Sequence, residues 1–277
     1  MSVLDGKIRE LERFIEREGK EGVVIAFSGG LDSSTLAAVS HNVLGERVVA
    51  VTAKSPTYTP EELEDAVNVA REIGIKFYVV ETDELSNEDF SKNPENRCYY
   101  CKKELLKSLH KTAGELGFKA VFEGTNLSDL AGHRPGFVAV KELAYTFSPW
   151  VETGFTKDEI RFVAKQMGLS VEDKPSNACL ASRVPFHERI TAEKLSRIGK
   201  AEQIIKELTG VRQLRVRDHN GLARIEVEKN ERKLLCDAEL LDKLAVKLKA
   251  IGFKYVTIDA EGYRTGSMLL TKDENKK

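Results

Sequence analysis

The sequence is short of several things. Of its 277 residues four are cysteine and 7% are aromatic, and basic and acidic side chains nearly cancel at 43 against 44. No apolar run approaches the roughly 18 residues of a membrane span, so no spanning helix and no membrane partner are expected. No signal peptide opens the chain, and the expected setting is cytoplasmic. In that setting the four cysteines are thiols for metal or sulfur chemistry, not structural disulfides. A net charge near zero argues against a protein built mainly to hold long nucleic acid, and no nucleic-acid partner is expected. At 277 residues, one large domain and a smaller one are the first expectation.

One more absence is local. Residues 28–34 read SGGLDSS, follow the apolar run 23–27 (VVIAF), and precede a helical pattern that ends at Gly45. A strand feeding a glycine turn into a helix aims backbone N–H groups and the positive end of a helix dipole at one spot, which suits a phosphate. Gly29 and Gly30 admit the anion without a Cβ in the way, and Ser28, Ser33 and Ser34 add hydroxyls. No lysine lies between Gly22 and Lys54, so this is not a Walker A loop. The cation on such phosphates is expected to be Mg²⁺, with Asp32 as its organiser.

Around this loop, strands alternate with helices. A helix over residues 4–18 precedes the loop; strands follow at 47–52, 76–81 and 120–123. Thr59 with Glu62, and Thr156 with Glu159, read as capping boxes, with Pro60 at a first helical position. The spacing argues for a doubly wound parallel α/β sheet with ligands at the carboxyl ends of its strands. Thr52 and Ala53 would then lie near adenine and ribose. The expected division is 1–183 for this domain, 184–270 for a smaller C-terminal α/β domain and 271–277 for a tail.

In the smaller domain, Asn220-Gly221 is a hairpin turn that sets 217 opposite 224 and 215 opposite 226. One face carries Leu214, Val216, Ala223, Ile225 and Val227; the other carries Arg215, Arg217, Arg224 and Glu226. Arg217 facing Arg224 is repulsive unless an anion intervenes, which suits a bound phosphate. A helix over 231–251 and a strand over 254–258 are expected to complete the domain, with Cys236 as a small packed residue in that helix.

Cys98 and Cys101 form a C-x-x-C at a helix start among Arg97, Lys102 and Lys103, conditions that favour thiolates. Cys179 lies in PSNACLASRVP, a segment without helical or strand periodicity. Three cysteines with no histidine at ligand spacing fall short of a four-ligand zinc site. They can hold a [4Fe–4S] cluster with one open iron, or serve as a dithiol redox pair.

SGGLDSS resembles the loop of the PP-loop ATP pyrophosphatases, adenine nucleotide alpha hydrolase-like proteins that split ATP between the α and β phosphates. Together with the C-x-x-C, the PSNACLASR segment and the arginine hairpin, it is similar to the LarE family, ATP-dependent sulfur transferases that make the nickel-pincer nucleotide cofactor. The resemblance covers residues 4–270. It implies adenylation of a pyridinium dicarboxylic acid mononucleotide, then attack by sulfur and loss of AMP. It assigns Thr125, Asn126 and Asp129, in the turn after the fourth strand, to the ATP site, with Asp129 a second candidate metal ligand. Arg134 could contact phosphate or pair with Asp129. Arg215, Arg217, Lys102 and Arg183 would hold the mononucleotide phosphate. Cys179 would be the sulfur donor in the one-cysteine subgroup; the three cysteines here match the subgroup carrying a [4Fe–4S] cluster. A homo-oligomer is expected. A PP-loop tRNA thiolase and an ammonia-dependent synthetase of the NAD or GMP type are the alternatives.

Overall fold

The structure is a computed structural model that describes residues 3–132, 134–174, 178–264 and 267–268. The expected tail at 271–277 and the PSN of the cysteine segment, residues 175–177, lie outside the described residues. The chain divides into two compact units, Met1–Asn87 with Asn96–Asn177, and Glu88–Glu95 with Ala178–Lys277.

In the first unit, β1 (Val23–Ala26), β2 (Val48–Lys54), β3 (Lys76–Glu81), β4 (Ala120–Phe122) and β5 (Thr146–Phe147) form a sheet in the order β3-β2-β1-β4-β5. Its four pairings are parallel, with Val23 beside both Val48 and Ala120. This is the doubly wound α/β fold expected from the alternation of elements. The fifth strand was not, because two residues are too few to show a period. Chain direction across the sheet reverses between β1 and β4, which opens a crevice at their carboxyl ends. SGGLDSS follows β1 and the Gly124 turn follows β4, so topology alone brings both to that crevice.

Local chemistry sets the helix ends. Both expected capping boxes are present, Thr59 with Glu62 and Thr156 with Glu159. Each contributes about 1 kcal/mol to its helix. Leu11, Ile15, Ile25, Leu36, Phe122, Trp150 and Phe155 bury one face of the sheet; Val24, Val49, Leu106, Leu109 and Val121 bury the other. Full burial of such side chains is worth about 1.5–3 kcal/mol each.

In the second unit, β6 (Leu214–His219) and β7 (Leu222–Val227) form the hairpin, and β8 (Tyr255–Ile258) lies parallel to β7. Asn220 and Gly221 both have positive φ, as a tight turn with a right-handed twist requires. The register is the one the turn dictates, Arg217 opposite Arg224 and Arg215 opposite Glu226. Ile205, Val216, Ile225, Leu244, Leu248 and Phe253 are in the core beneath. The expected helix over 231–251 is instead a 3-10 turn, Arg232–Leu235, followed by a helix Ala238–Ala250. Asp237 accepts from the Leu240 N–H at 2.8 Å and so starts a new helix there. Cys236 falls in the break and is exposed, not packed. The short segment 88–95 is bonded within this unit, where Ile190 N donates to Ser91 O and His187 N to Asn93 O.

Candidate functional site

The phosphate loop has the features an anion needs. Gly30 is the N-cap of the helix Leu31–Leu44, and no side chain caps that helix start. Its first N–H groups are therefore open to a ligand. Gly29 has φ +65, and a Cβ there would stand 2.7 Å from the Ala66 Cα, so the position tolerates only glycine. Ser33 Oγ accepts from Ser28 N and donates to Gly30 O, which holds the loop's curl. Thr52 Oγ1 donates to Phe27 O at 2.7 Å and ties the end of β2 to the loop; Ala53 follows it, buried. Ser34 Oγ is buried and has no hydrogen-bond partner among the described residues.

The turn after β4 meets this loop closely. A Cβ on Gly124 would lie 3.1 Å from Ser33 N. Asn126 caps a single helical turn, Leu127–Leu130, in a box with Asp129, and its Nδ2 donates to Asp32 Oδ1 at 3.1 Å and to Asp129 Oδ2 at 3.0 Å. One amide thus joins the two carboxylates named as metal ligands. Arg134 pairs with Asp129. Thr125 turns the other way, its N–H and hydroxyl both donating to Glu123.

Glu123 is the best-buried carboxylate here. It accepts from Lys102 Nζ at 2.8 Å, from Thr125, and from Ser148. Burial alone would raise its pKa, but the Lys102 ammonium and the two hydroxyls outweigh burial and hold it below the ordinary value. Lys102 sits on the helix Arg97–Glu115, whose first turn also carries Cys98 and Cys101. Sequence reasoning offered Lys102 for a phosphate; in the structure Glu123 already neutralises it.

Two lysines that sequence reasoning missed reach the phosphate loop. Lys157 pairs with Asp32 Oδ2. Lys174 donates to Gly29 O at 3.0 Å. The loop lacks a lysine of its own, and the fold supplies cations from far along the chain. A signal for Lys157 was present: it is the first residue of the helix Lys157–Gln166, where the dipole disfavours a cation without an anionic partner.

In the second unit three arginines and two carboxylates are buried together. Arg183 makes a bidentate pair with Glu202 at 2.9 and 3.0 Å, and its Nη1 bonds the Cys179 carbonyl and the Ser182 hydroxyl. Its role here is to hold the turn that carries Cys179. Arg217 pairs with Glu226 at 2.7 Å and donates to Ser182 O at 3.0 Å. Glu226 also lies 3.1 Å from Arg224, and Asp259 lies 2.8 Å from it. The repulsion read from the register is therefore answered by internal carboxylates, and that argument for a bound phosphate falls. Arg215 donates to Leu214 O at 2.7 Å and lies 5.2 Å over the Tyr263 ring. Burial first, then Arg183 and Arg217, push its pKa down against the pull of Glu202 and Tyr263. Buried guanidiniums gathered in this way suit an anion.

Cys98 and Cys101 lie in the first unit and Cys179 in the second. No disulfide joins the cysteines among the described residues. Nor does any group of three or more His, Cys, Asp or Glu among them stand ready to hold a metal ion. No described helix is long and apolar enough to cross a membrane.

A parallel sheet whose first strand ends in an uncapped glycine loop, with a carboxylate and an amide facing it across the switch point, defines a PP-loop ATP pyrophosphatase. The NAD synthase family matches residues 4–108. An uncharacterized protein of Synechocystis sp. is 42% identical over 98% of this chain and 100% of its own. The pyridinium-3,5-bisthiocarboxylic acid mononucleotide synthase of Lactiplantibacillus plantarum is 34% identical over 89% of this chain and 88% of its own. A tRNA-specific 2-thiouridylase of Rickettsia africae is 30% identical, over 56% of this chain and 52% of its own. The chain belongs to the LarE family, ATP-dependent enzymes of sulfur transfer.

Proposed function

We propose that this chain adenylates a carboxylate of a pyridinium dicarboxylic acid mononucleotide and converts it to a thiocarboxylate for a nickel-pincer nucleotide. A carboxylate oxygen of the substrate attacks the α-phosphorus of ATP, and pyrophosphate leaves with the bonding electron pair. Sulfur then attacks the acyl carbon of the adenylate, and AMP leaves. The open N–H groups beside Gly30 and the hydroxyl of Ser28 receive phosphate oxygens. Asp32 and Asp129 are hard oxygen donors of the kind Mg²⁺ takes alongside phosphate and water, so the residues fit that ion. Mg²⁺ would neutralise charge on the leaving pyrophosphate, and Lys157 would balance Asp32 when the site is empty. The observation that carries this reading is the joining of Asp32, Asn126, Asp129 and Lys157 around an uncapped helix start.

For the mononucleotide phosphate we propose the buried guanidinium group of Arg215, with Arg217 and Arg183 beside it and Lys102 as a further contact. For the sulfur we propose that Cys98, Cys101 and Cys179 would hold a [4Fe–4S] cluster, which would supply an iron-bound sulfide; thiolates suit iron. A cytoplasmic setting goes with this reading, because thiols stay available for such chemistry in a reducing compartment. The test of the overall reading is product analysis with ATP and the mononucleotide. Pyrophosphate and AMP should form only when the mononucleotide is present. Release of ADP and phosphate would overturn the assignment.

A further inference from the structure

Lys157 is explained by Asp32; Lys174 is explained by nothing so far. Its Nζ stands 3.0 Å from the Gly29 carbonyl of the phosphate loop and 3.0 Å from Asp65 Oδ2. Neither partner is strong. Asp65 is 54% exposed, and an ion pair in that setting contributes about 1 kcal/mol or less. Gly29 O is a neutral acceptor. Nor does the loop need this lysine to keep its shape, because Gly29 is set by its positive φ and by close packing on Ala66. A cation held this loosely at the edge of an anion cradle exchanges readily for a better anion.

We propose that Lys174 is a ligand of the pyrophosphate portion of ATP: it leaves Asp65 and the Gly29 carbonyl when the nucleotide binds, and supplies from downstream the ammonium that SGGLDSS lacks. The proposal rests on the reading of that loop as the ATP phosphate site. A triphosphate carries several negative charges against the single one of Asp65, so Coulomb attraction favours the exchange.

Calorimetric titration of the full chain with inorganic pyrophosphate and Mg²⁺, and separately with AMP, tests it. Lys174→Met should weaken pyrophosphate binding by about 10- to 100-fold, the range for loss of one charge-assisted hydrogen bond. AMP binding should be unchanged, and Lys174→Arg should recover most of the loss. Asp65→Asn removes the competitor and should bind pyrophosphate at least as tightly as the parent. Weaker binding in Asp65→Asn would mark Lys174 as a clamp between the loop and the helix Pro60–Ile73, and would overturn the proposal. So would parental affinity in Lys174→Met. If the parent itself binds neither ATP nor pyrophosphate, the loop assignment fails as well, which separates the two failures.

Discussion

Asp32 meets two partners, an amide donor and an ammonium, which together hold its carboxylate in one orientation. Asp32→Asn should keep the fold and abolish substrate-dependent pyrophosphate release. Lys157→Met leaves Asp32 oriented by Asn126 alone and should lower that release by about 10- to 100-fold, the range for loss of one charge-assisted hydrogen bond. Its melting temperature should hardly change, since the pair is partly exposed; a large drop would assign Lys157 to stability. Glu123 makes the opposite case. Its carboxyl is held below the ordinary glutamate range, so its contribution is complete at and above that range and is lost as pH falls through the lower folded-state value. Glu123→Gln should cost on the order of 3 kcal/mol near neutral pH, because it leaves Lys102 without its buried counter-charge. The cost should vanish in strong acid. Urea unfolding of both proteins across that range checks it, and a deficit independent of pH would refute the charge argument. Asp32 was legible in the sequence because it lies inside a recognisable string. Glu123 was not, because a glutamate ending a strand looks the same whether it meets solvent or Lys102.

The hairpin shows what an element adds. Its turn and register followed from Asn220-Gly221 and from alternation, since both are local. The partners of its arginines followed only in part: Glu226 lies on the hairpin itself, but Asp259 and the Ser182 carbonyl come from other elements. The three arginines should therefore separate in experiment. Arg217→Met exposes Glu226 to a loss of buried pairing and should destabilise by about 3 kcal/mol. Arg215→Met removes a buried cation crowded by Arg183 and Arg217 and should leave stability unchanged or raised. It should weaken mononucleotide binding by about 10- to 100-fold with ATP binding intact. Thermal unfolding beside a binding titration reads both quantities. Mononucleotide affinity that survives in Arg215→Met would take Arg215 out of the mononucleotide site.

Across the whole molecule the open question is the sulfur. A cluster requires Cys98, Cys101 and Cys179 to be equivalent: alanine at any one should abolish both iron binding and sulfur transfer. Under sacrifice of Cys179, only that variant is inactive, and spent protein is lighter by the mass of H₂S. Iron and acid-labile sulfide assays on anaerobically prepared protein, with mass spectrometry after turnover, distinguish the two. Dehydroalanine at position 179 in active, iron-free protein would end the cluster reading.

By itself the sequence determined the parallel α/β class, the phosphate loop, the helix caps and the hairpin register. Each depends on residues within a few positions of one another, where sterics and hydrogen bonding act without help from distant chain. Only the tertiary structure decided that Lys157 and Lys174 serve a loop that has no lysine, that Glu123 claims Lys102, and that Asp259 answers Arg224. These are pairings of charge between residues far apart in the chain. Coulomb energy depends on separation in space, and separation in space is set by how the sheet and helices pack.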